Sequence, residues 1–345
     1  MASRIGLILA SVLAGLLLLE LGCRAATNTL GDWHNIILKE RREIRALSDG
    51  RMVYDAALGW VPRKSYTGEG RSYDQAGFRR APIPASVTLA EPPVLVVGDS
   101  IAHGDELTDA QAWPTLLQAA LQRRVLNAGV SGYGLDQIVL RAGILVPETK
   151  PAFVVMSFAS DDLRRSEMSR VWGVEKPYFE PVNGMLVLRN SPAPPSPDPR
   201  ETLDVWQRLL GWSMLVDTIL RHEGWQFEWS SDHERVLPRG EGERMACPLM
   251  RRAAALGVPI LVVAEYNRWV FQDMDYQRET RRQTALVLDC ARQAGLQALD
   301  MFDTVNQAVQ KQGLDALFKT SHPGPAAARL ASEKIADTLK RHALP

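Results

Sequence analysis

Residues 94–100 read Val-Leu-Val-Val-Gly-Asp-Ser, a short apolar run that ends in a turn and a hydroxyl group. Similar apolar runs recur along the chain at Val125–Leu126, Ala152–Ala159, Ile260–Ala264 and Gln297–Met301. Amphipathic stretches of helical length lie between and after them: Ala112–Arg123, Leu135–Val146, Arg244–Leu256, Thr280–Ala294 and Ala326–Lys340. Strands that alternate with helices in this way predict an α/β fold, with a parallel sheet covered by helices on both faces.

Ser100 directly follows the first apolar run. In parallel sheets, ligands bind in the crevice outside the carboxyl ends of the strands, so the Ser100 hydroxyl is expected there. Its backbone N–H would point into the same space and can donate to an oxyanion. Ser100 is therefore a candidate nucleophile, although three residues alone recur by chance and also fit a plain turn.

The second apolar run is followed by Asn-Ala-Gly-Val-Ser-Gly-Tyr-Gly at residues 127–134. Glycines after a strand let the backbone approach a ligand closely. A phosphate-binding loop has similar glycines, but here no Lys-Ser/Thr pair follows them and no acidic residue stands at the ribose-binding distance. Nucleotide binding is therefore not expected.

His322 is the best candidate for a general base among six histidines. It precedes Pro323 and the start of the last predicted helix, which places it where a crevice is expected. His103 is only three residues after Ser100, so it cannot easily lie on that turn and also opposite it.

The composition excludes several classes of protein. The chain has 345 residues, of which 46% are hydrophobic and 23% charged, which are ordinary globular values. Lys and Arg number 40 and so do Asp and Glu, so no excess of positive charge points to nucleic acid. Three cysteines have no metal-type spacing, and we expect neither a metal nor an organic cofactor. A disulfide between Cys247 and Cys290, on separate predicted helices, is left open.

The N-terminus carries an apolar run, Ile5–Leu19, broken only by Ser11 and two glycines. Its length lies between that of a cleaved signal and that of a membrane-spanning helix. We expect an uncleaved anchor with the main domain outside the cytoplasm, and the alternative is secretion after signal cleavage. Cys23 allows a lipoprotein interpretation, but Glu20 stands where such a signal needs an apolar residue.

The pattern divides the chain into three parts: an anchor or signal at residues 1–26, a stalk and irregular lead-in at 27–92, and the α/β domain at 93–345. An insertion at about 163–240 interrupts the alternation. It contains a predicted hairpin around Asn183-Gly184, an amphipathic helix near Leu203–Leu220, and five of nine tryptophans. We expect these aromatic residues to pack on the core, and a lid over the substrate is the alternative.

Four segments in this order resemble the SGNH (GDSL) hydrolase superfamily. They are Gly98-Asp99-Ser100, the glycine-rich segment 127–132, the segment 159–162, and His322-Pro323. The lead-in at 58–62 and 77–79 resembles that of membrane-anchored bacterial members. The resemblance implies a three-layer, flavodoxin-like sheet, with Ser100 as nucleophile, His322 as base, and Ser100 and Gly132 as oxyanion donors.

Two segments depart from the family pattern. The third block normally reads Gly-x-Asn-Asp, with an asparagine amide that donates to the oxyanion, but Ala159 and Asp161 occupy these positions. A carboxylate offers no donor unless it is protonated, which burial beside Asp162 would favour. Near His322, Lys319 and Thr320 stand where an orienting aspartate is usual. We therefore expect Ser100 and His322 to act as a pair, with a backbone carbonyl holding the ring.

The resemblance implies a serine ester hydrolase or O-acyl transferase, of low or specialised activity, that acts on an acylated envelope glycan or lipid. The rival hypothesis is that both departures from the family pattern abolish catalysis. The protein is then a catalytically silent relative that binds a glycan or a partner protein in envelope polysaccharide assembly.

Overall fold

A five-stranded parallel sheet forms the centre of the computed structural model, which describes residues 2–341 except 39–46, 48–49, 69, 172, 196–202, 226–228 and 230–239. Its strands are β5 (Val94–Val97), β6 (Val125–Asn127), β7 (Phe153–Phe158), β12 (Ile260–Ala264) and β13 (Gln297–Asp300). The order across the sheet is β13-β12-β7-β5-β6, and every neighbouring pair is parallel. This flavodoxin-like order confirms the predicted α/β fold class.

Helices cover both faces of the sheet, as the amphipathic stretches predict. In chain order, the helices after the N-terminal helix α1 (Ala2–Ala26) are α2 (Ser100–His103), α3 (Trp113–Leu121), α4 (Leu135–Thr149), α5 (Ser160–Ser166), α6 (Val205–Leu210), α7 (Met214–His222), α8 (Glu241–Ala254), α9 (Met274–Gln293), α10 (Phe302–Gln312), α11 (Leu314–Leu317) and α12 (Pro325–Arg341). All residues of β5, β6, β7 and β12 are buried. A strand with helices on both faces needs such continuous apolar sequence.

The chain changes direction in the sheet at β5. From β5 it passes to β6 at one edge and then returns to β7 on the other side of β5. The carboxyl ends of β5 and β7 therefore flank the topological switch point, where open α/β sheets bind ligands. Ser100 follows β5, and residues 159–162 follow β7, so the fold brings these two segments to one crevice.

The lead-in is built into the core of the domain. It forms two short antiparallel pairs, β1 (Met52–Asp55) with β2 (Gly59–Pro62), and β3 (Thr67–Gly68) with β4 (Arg71–Ser72). Trp60 and Tyr73 are fully buried in the main hydrophobic core. The predicted stalk lies partly outside the described residues.

The insertion contains the predicted hairpin, β10 (Tyr178–Val182) with β11 (Met185–Arg189), preceded by the short pair β8 (Arg170–Val171) and β9 (Val174–Glu175). The amphipathic stretch near Leu203–Leu220 forms two helices and not one. Helix α6 ends at its C-cap Gly211, and helix α7 begins after its N-cap Ser213. Trp206, Trp212 and Trp225 are 62%, 47% and 55% exposed. The expectation that they pack on the core is wrong for these three, while Trp172 lies outside the described residues.

Helix α1 is long and apolar enough to cross a membrane over Arg4–Ala26, and only 6% of that window is buried. Length and composition are compatible with an anchor and also with a signal sequence.

A disulfide joins Cys247 on α8 to Cys290 on α9, and Cys23 is the free cysteine. The pairing that the sequence leaves open is therefore present. It closes a loop of 43 residues between two helices that pack on each other. Disulfides persist mainly in oxidising compartments.

We expect titration of the unfolded protein to find one thiol before reduction and three after it. Replacing both Cys247 and Cys290 by alanine should lower the free energy of unfolding by about 4 kcal/mol, because the cross-link restricts the unfolded chain. Denaturant unfolding measures this, with Cys23→Ala as the control that leaves the stability nearly unchanged. Three thiols before reduction would contradict the pairing.

Candidate active site

The turn after β5 presents Ser100. A side chain at Gly98 would lie 2.6 Å from Ala102 Cβ and 2.9 Å from the Ser157 carbonyl oxygen, so the turn needs a glycine here. The Asp99 carboxylate accepts a hydrogen bond from the Ile101 N–H at 2.9 Å and caps helix α2. Ser100 opens this helix with 7% of its surface exposed. Its hydroxyl therefore reaches the crevice while its backbone is fixed.

His322 lies opposite Ser100. Its Nε2 atom is 2.9 Å from Ser100 Oγ. A tight turn presents the ring, with Phe318 bridged to Pro323 and the Lys319 N–H donating to the His322 carbonyl at 3.2 Å. The two predicted residues, 222 positions apart, are within hydrogen-bond distance.

A carboxylate holds the other side of the His322 ring. Glu106 Oε1 is 3.1 Å from His322 Nδ1. This corrects the expectation that Ser100 and His322 form a pair with a backbone carbonyl on the ring. The Ser321 hydroxyl is also 2.9 Å from Nδ1. Because an ionised carboxylate only accepts hydrogen bonds, Glu106 favours the tautomer with the hydrogen on Nδ1, in which Nε2 can accept from the Ser100 hydroxyl.

Thr320 and Lys319 fix Glu106 in place. The Thr320 N–H donates to the Glu106 carboxylate at 3.1 Å, and the Thr320 hydroxyl donates to it as well. The Lys319 ammonium donates to the Glu106 carbonyl oxygen at 2.5 Å. Burial raises the pKa of Glu106, but the hydrogen bonds from Thr320 and His322 outweigh it and hold the pKa below its usual value. The two positions that lack the family aspartate thus bind Glu106 from another loop, Thr320 through the carboxylate and Lys319 through the backbone carbonyl.

The backbone of Glu106 is strained. Its φ is 65°, in the left-handed region that residues with side chains rarely adopt. Such a conformation costs on the order of 1 kcal/mol and is typical of functional sites. Asp315, the acid seven residues before His322, is instead bound to Arg268. In the sequence, Glu106 is an acid six residues after Ser100, whereas the family pattern places the orienting acid shortly before the histidine.

Arg79 clamps the loop that carries Glu106. Its guanidinium is buried and donates to the carbonyl oxygens of His103, Gly104 and Leu107 at 2.5, 2.7 and 2.6 Å. It also donates to Asp109 at 2.8 Å. The lead-in therefore shapes the site, since Arg79 belongs to the segment 77–79.

The segment after β6 is fixed from two sides. The Asn127 amide donates to the Ala102 carbonyl at 3.1 Å, and its oxygen accepts from the Gly129 N–H at 3.0 Å. The buried indole of Trp60 donates to the Ser131 carbonyl at 3.0 Å. Gly132 follows with a φ of 80°, a conformation that suits glycine. In the described part of the chain, no protein atom accepts a hydrogen bond from the backbone N–H of Ser100 or Gly132.

A cavity of about 220 Å³ opens beside Ser100 and His322. Asp161 lies in its wall, with its side chain 39% exposed and 3.9 Å from Arg164. The buried environment expected for this carboxyl is therefore not found. Trp269 and Tyr276 form an aromatic part of the wall, and Trp269 is 54% exposed. Gly132 is not among the described residues that line this cavity.

A model of the GDSL-like lipase/acylhydrolase family matches residues 96–330. The chain belongs to this family. The match spans the sheet, Ser100 and His322, and begins after the lead-in. The family predicted from four ordered segments is thus confirmed.

Individual relatives of this GDSL-family protein are distant. Esterase TesA of Pseudomonas aeruginosa is 39% identical over 74 residues, which are 20% of this chain and 37% of the esterase. LAE5, an α/β hydrolase enzyme from the metagenome of Lake Arreo, Spain, is 15% identical, covering 72% of this chain and 95% of its own, with a TM-score of 0.45. Axe2, an acetylxylan esterase from Geobacillus stearothermophilus, is 14% identical, covering 71% and 93%, with a TM-score of 0.42.

A second histidine of the GDSL-family protein has a different setting. His103 is fully buried, with Nε2 2.8 Å from the Tyr73 hydroxyl and Nδ1 2.6 Å from Asp105. Ser131 donates to both Asp105 oxygens at 2.8 Å. Burial lowers the pKa of His103. Burial also raises the pKa of Asp105, but hydrogen bonds from His103 and Ser131 hold it well below its usual range. This network joins the loop after α2 to the loop after β6.

Three carboxyl groups are buried around the turn that carries Ser100: Asp99, Asp162 and Glu265. Burial raises the pKa of Asp99, and burial with the nearby Asp99 charge raises the pKa of Asp162 well above its usual value. Arg165 donates to Asp162 at 2.8 Å and offsets part of this cost. Burial raises the pKa of Glu265 to about 8, although the Ser157 hydroxyl donates to its carboxylate. Among the described residues, no group of three or more His, Cys, Asp or Glu side chains could hold a metal.

Glu265 should make the protein less stable as the pH rises through neutrality. An unfolded glutamate ionises near about pH 4.3, whereas the folded carboxyl holds its proton up to about pH 8. Between these values the folded state binds one more proton, so the free energy of unfolding falls with pH by up to about 1.4 kcal/mol per unit.

In denaturant unfolding, the free energy of unfolding of Glu265→Gln should fall less steeply between pH 5 and 8 than that of the parent. The difference in slope should correspond to about one proton. Glu148→Gln, at an exposed glutamate, is the matched control. An unchanged slope in Glu265→Gln would contradict the assignment.

Proposed function

We propose that the protein is a serine ester hydrolase in which Ser100, His322 and Glu106 act as a catalytic triad. The observation that carries the proposal is the hydrogen-bonded chain from Ser100 Oγ through both ring nitrogens of His322 to the Glu106 carboxylate. Nucleophile, base and orienting carboxylate in this order are the elements of serine acyl transfer.

The first half of the reaction transfers the acyl group to the enzyme. Ser100 Oγ attacks the ester carbonyl while His322 Nε2 takes its proton, and the Glu106 carboxylate stabilises the imidazolium that forms. The tetrahedral intermediate collapses, His322 returns the proton to the leaving alcohol oxygen, and the acyl group remains on Ser100. Water, or a second sugar hydroxyl in the case of transfer, then attacks the acyl-enzyme by the same steps in reverse.

The oxyanion would be held by the backbone N–H groups of Ser100 and Gly132. Asp161 stands where the family places an asparagine, and a carboxylate there would repel the developing charge. Losing one oxyanion donor lowers turnover by about 10²–10³. We therefore propose a weak or specialised activity.

The proposed substrate is an O-acyl group on an envelope glycan or lipid. The cavity is small, which suits a short acyl chain, and the exposed indole of Trp269 on its wall offers an apolar face with a polar N–H for a sugar ring. The Cys247–Cys290 disulfide and helix α1 support a location outside the cytoplasm, anchored to the membrane.

The second candidate is a catalytically silent protein that binds a glycan or a partner in envelope polysaccharide assembly. Asp161 favours it, because this residue removes a donor. Glu106 weighs against it, because a held carboxylate supplies the orientation that the last block lacks.

Hydrolysis of a chromogenic acetate ester separates the two candidates. The parent should hydrolyse the ester and react with a serine-directed phosphonate, and Ser100→Ala should do neither. Asp161→Asn, which restores an amide donor, should raise turnover by at least about tenfold. Equal labelling of the parent and Ser100→Ala would refute the triad, and equal background rates in all three proteins would favour the binding function.

Glu106→Gln should lower kcat by about 10²–10⁴ with little change in KM. The amide no longer stabilises the imidazolium and can donate to Nδ1, which turns the ring to the unproductive tautomer. Asp315→Asn is the matched control, since it neutralises the acid that lies closer in sequence to His322 but binds Arg268. Steady-state kinetics on the same ester measure both variants; equal kcat values would show that Glu106 has no part in catalysis.

A further inference from the structure

An exposed apolar surface lies on the insertion and on the segment that follows α1. Six residues form it, all between 41% and 65% exposed: Trp33, Val205, Trp206, Leu209, Leu210 and Trp212. We call this surface the apolar platform. Helix α7 continues it, and none of the nine residues of this fully described helix is buried. Six large apolar side chains exposed side by side, in the described part of the chain, indicate a surface that binds a partner.

The platform is fixed to the end of helix α1 by Glu20. The Glu20 carboxylate accepts hydrogen bonds from the N–H groups of Met214 and Leu215, both at 2.9 Å, and from the Ser213 hydroxyl at 2.8 Å. It therefore satisfies the free N–H groups at the start of α7 and complements the helix dipole. Helix α7 begins at the level of Glu20.

Arg24 makes a second connection. Its buried guanidinium donates to Glu20 at 2.7 Å and to the carbonyl oxygen of Trp212 at 2.5 Å, and it lies 3.8 Å from the centre of the Trp33 ring. The Asn35 amide also donates to the Gln207 carbonyl oxygen on α6 at 2.8 Å. The end of α1, residues 32–36 and helices α6 and α7 form one hydrogen-bonded unit.

The length of the apolar run sets the depth of this unit. Ile5–Leu19 contains 15 residues, which span about 22 Å in a helix. The hydrocarbon core of a bilayer is about 30 Å thick. Glu20, directly after the run, would thus lie no further out than the lipid headgroups. Helix α7, whose first N–H groups it accepts, would begin at the same level.

We propose that the apolar platform rests in the lipid interface of the membrane that α1 crosses. Tryptophan is enriched at this depth, because its ring is apolar and its N–H finds polar partners. The platform also adds apolar surface at the level where the apolar run Ile5–Leu19 ends, because this run is shorter than the hydrocarbon core. Lipid is favoured over a second protein copy because the platform is continuous with α1, whose exposed leucines, such as Leu17 and Leu18, would face lipid.

The test uses the full chain with Cys23→Ser and the disulfide intact, reconstituted in vesicles of phosphatidylethanolamine and phosphatidylglycerol. Single nitroxide labels are placed on cysteines that replace Leu209, Leu13 or Leu89. Leu13 reports on α1, and Leu89, which is 59% exposed against 65% for Leu209, is the matched control outside the platform. We expect the ratio of collisions with oxygen to collisions with a nickel chelate to be several-fold higher at 209 than at 89, and highest at 13.

Each other result overturns the proposal in a distinct way. If the label at 209 behaves as at 89 while that at 13 is in lipid, the platform faces water. Low access to both reagents at 209 would mean that protein covers the surface, as in a dimer. A label at 13 in water would show that α1 does not span the vesicles. Quenching of tryptophan by brominated lipids, compared between the parent and Trp206→Phe, gives an independent readout without a label.

Discussion

The geometry of the site depends on one buried guanidinium. Arg79 donates to three carbonyl oxygens and to Asp109, all in the segment 103–109 at the end of helix α2 and after it. Without a partner, these three buried carbonyl oxygens would cost several kcal/mol in all. The planar guanidinium of Arg79 carries enough N–H donors to bind all three, so it stabilises the closed loop. Its closure places Asp105 against His103 and Ser131, and Glu106 against His322. Residues outside the family match thus determine the shape of the loop inside it.

The sheet and two of the site residues follow from local sequence. Continuous apolar runs mark buried parallel strands because both faces are covered, and Ser100 and His322 are found at turns that the topology places at one edge. Glu106 could not be found in this way. Glu106 reaches His322 because Arg79 holds the loop that carries Glu106. Thr320 and Lys319, on the turn that carries His322, then bind Glu106. These contacts join distant segments, and no local sequence pattern encodes them. The sequence does not predict the exposure of Trp206 and Trp212 for a similar reason, since an amphipathic pattern does not tell which partner covers its apolar face.

The site is unusually rich in carboxyl groups. Asp99, Asp105, Glu106, Asp161 and Asp162 lie around Ser100, and their basic partners include Arg164, Arg165, His103 and His322. Ionised carboxylates near His322 favour an imidazolium and oppose a negative charge on a bound molecule. Burial raises the pKa values of Asp99 and Asp162, so these two carboxyls contribute less negative charge than their number suggests.

The bonds of Glu20 and Arg24 also bear on the maturation of the chain. A peptidase that removed the first 26 residues would take both side chains away. The amide groups at the start of α7 and the carbonyl of Trp212 would lose their partners, and Trp33 would lose the cation above its ring. A cleaved signal sequence normally makes no contact that the remaining domain needs, whereas the end of helix α1 supplies hydrogen bonds to α7 and to Trp212. These contacts exist only in a chain that keeps residues 20–24.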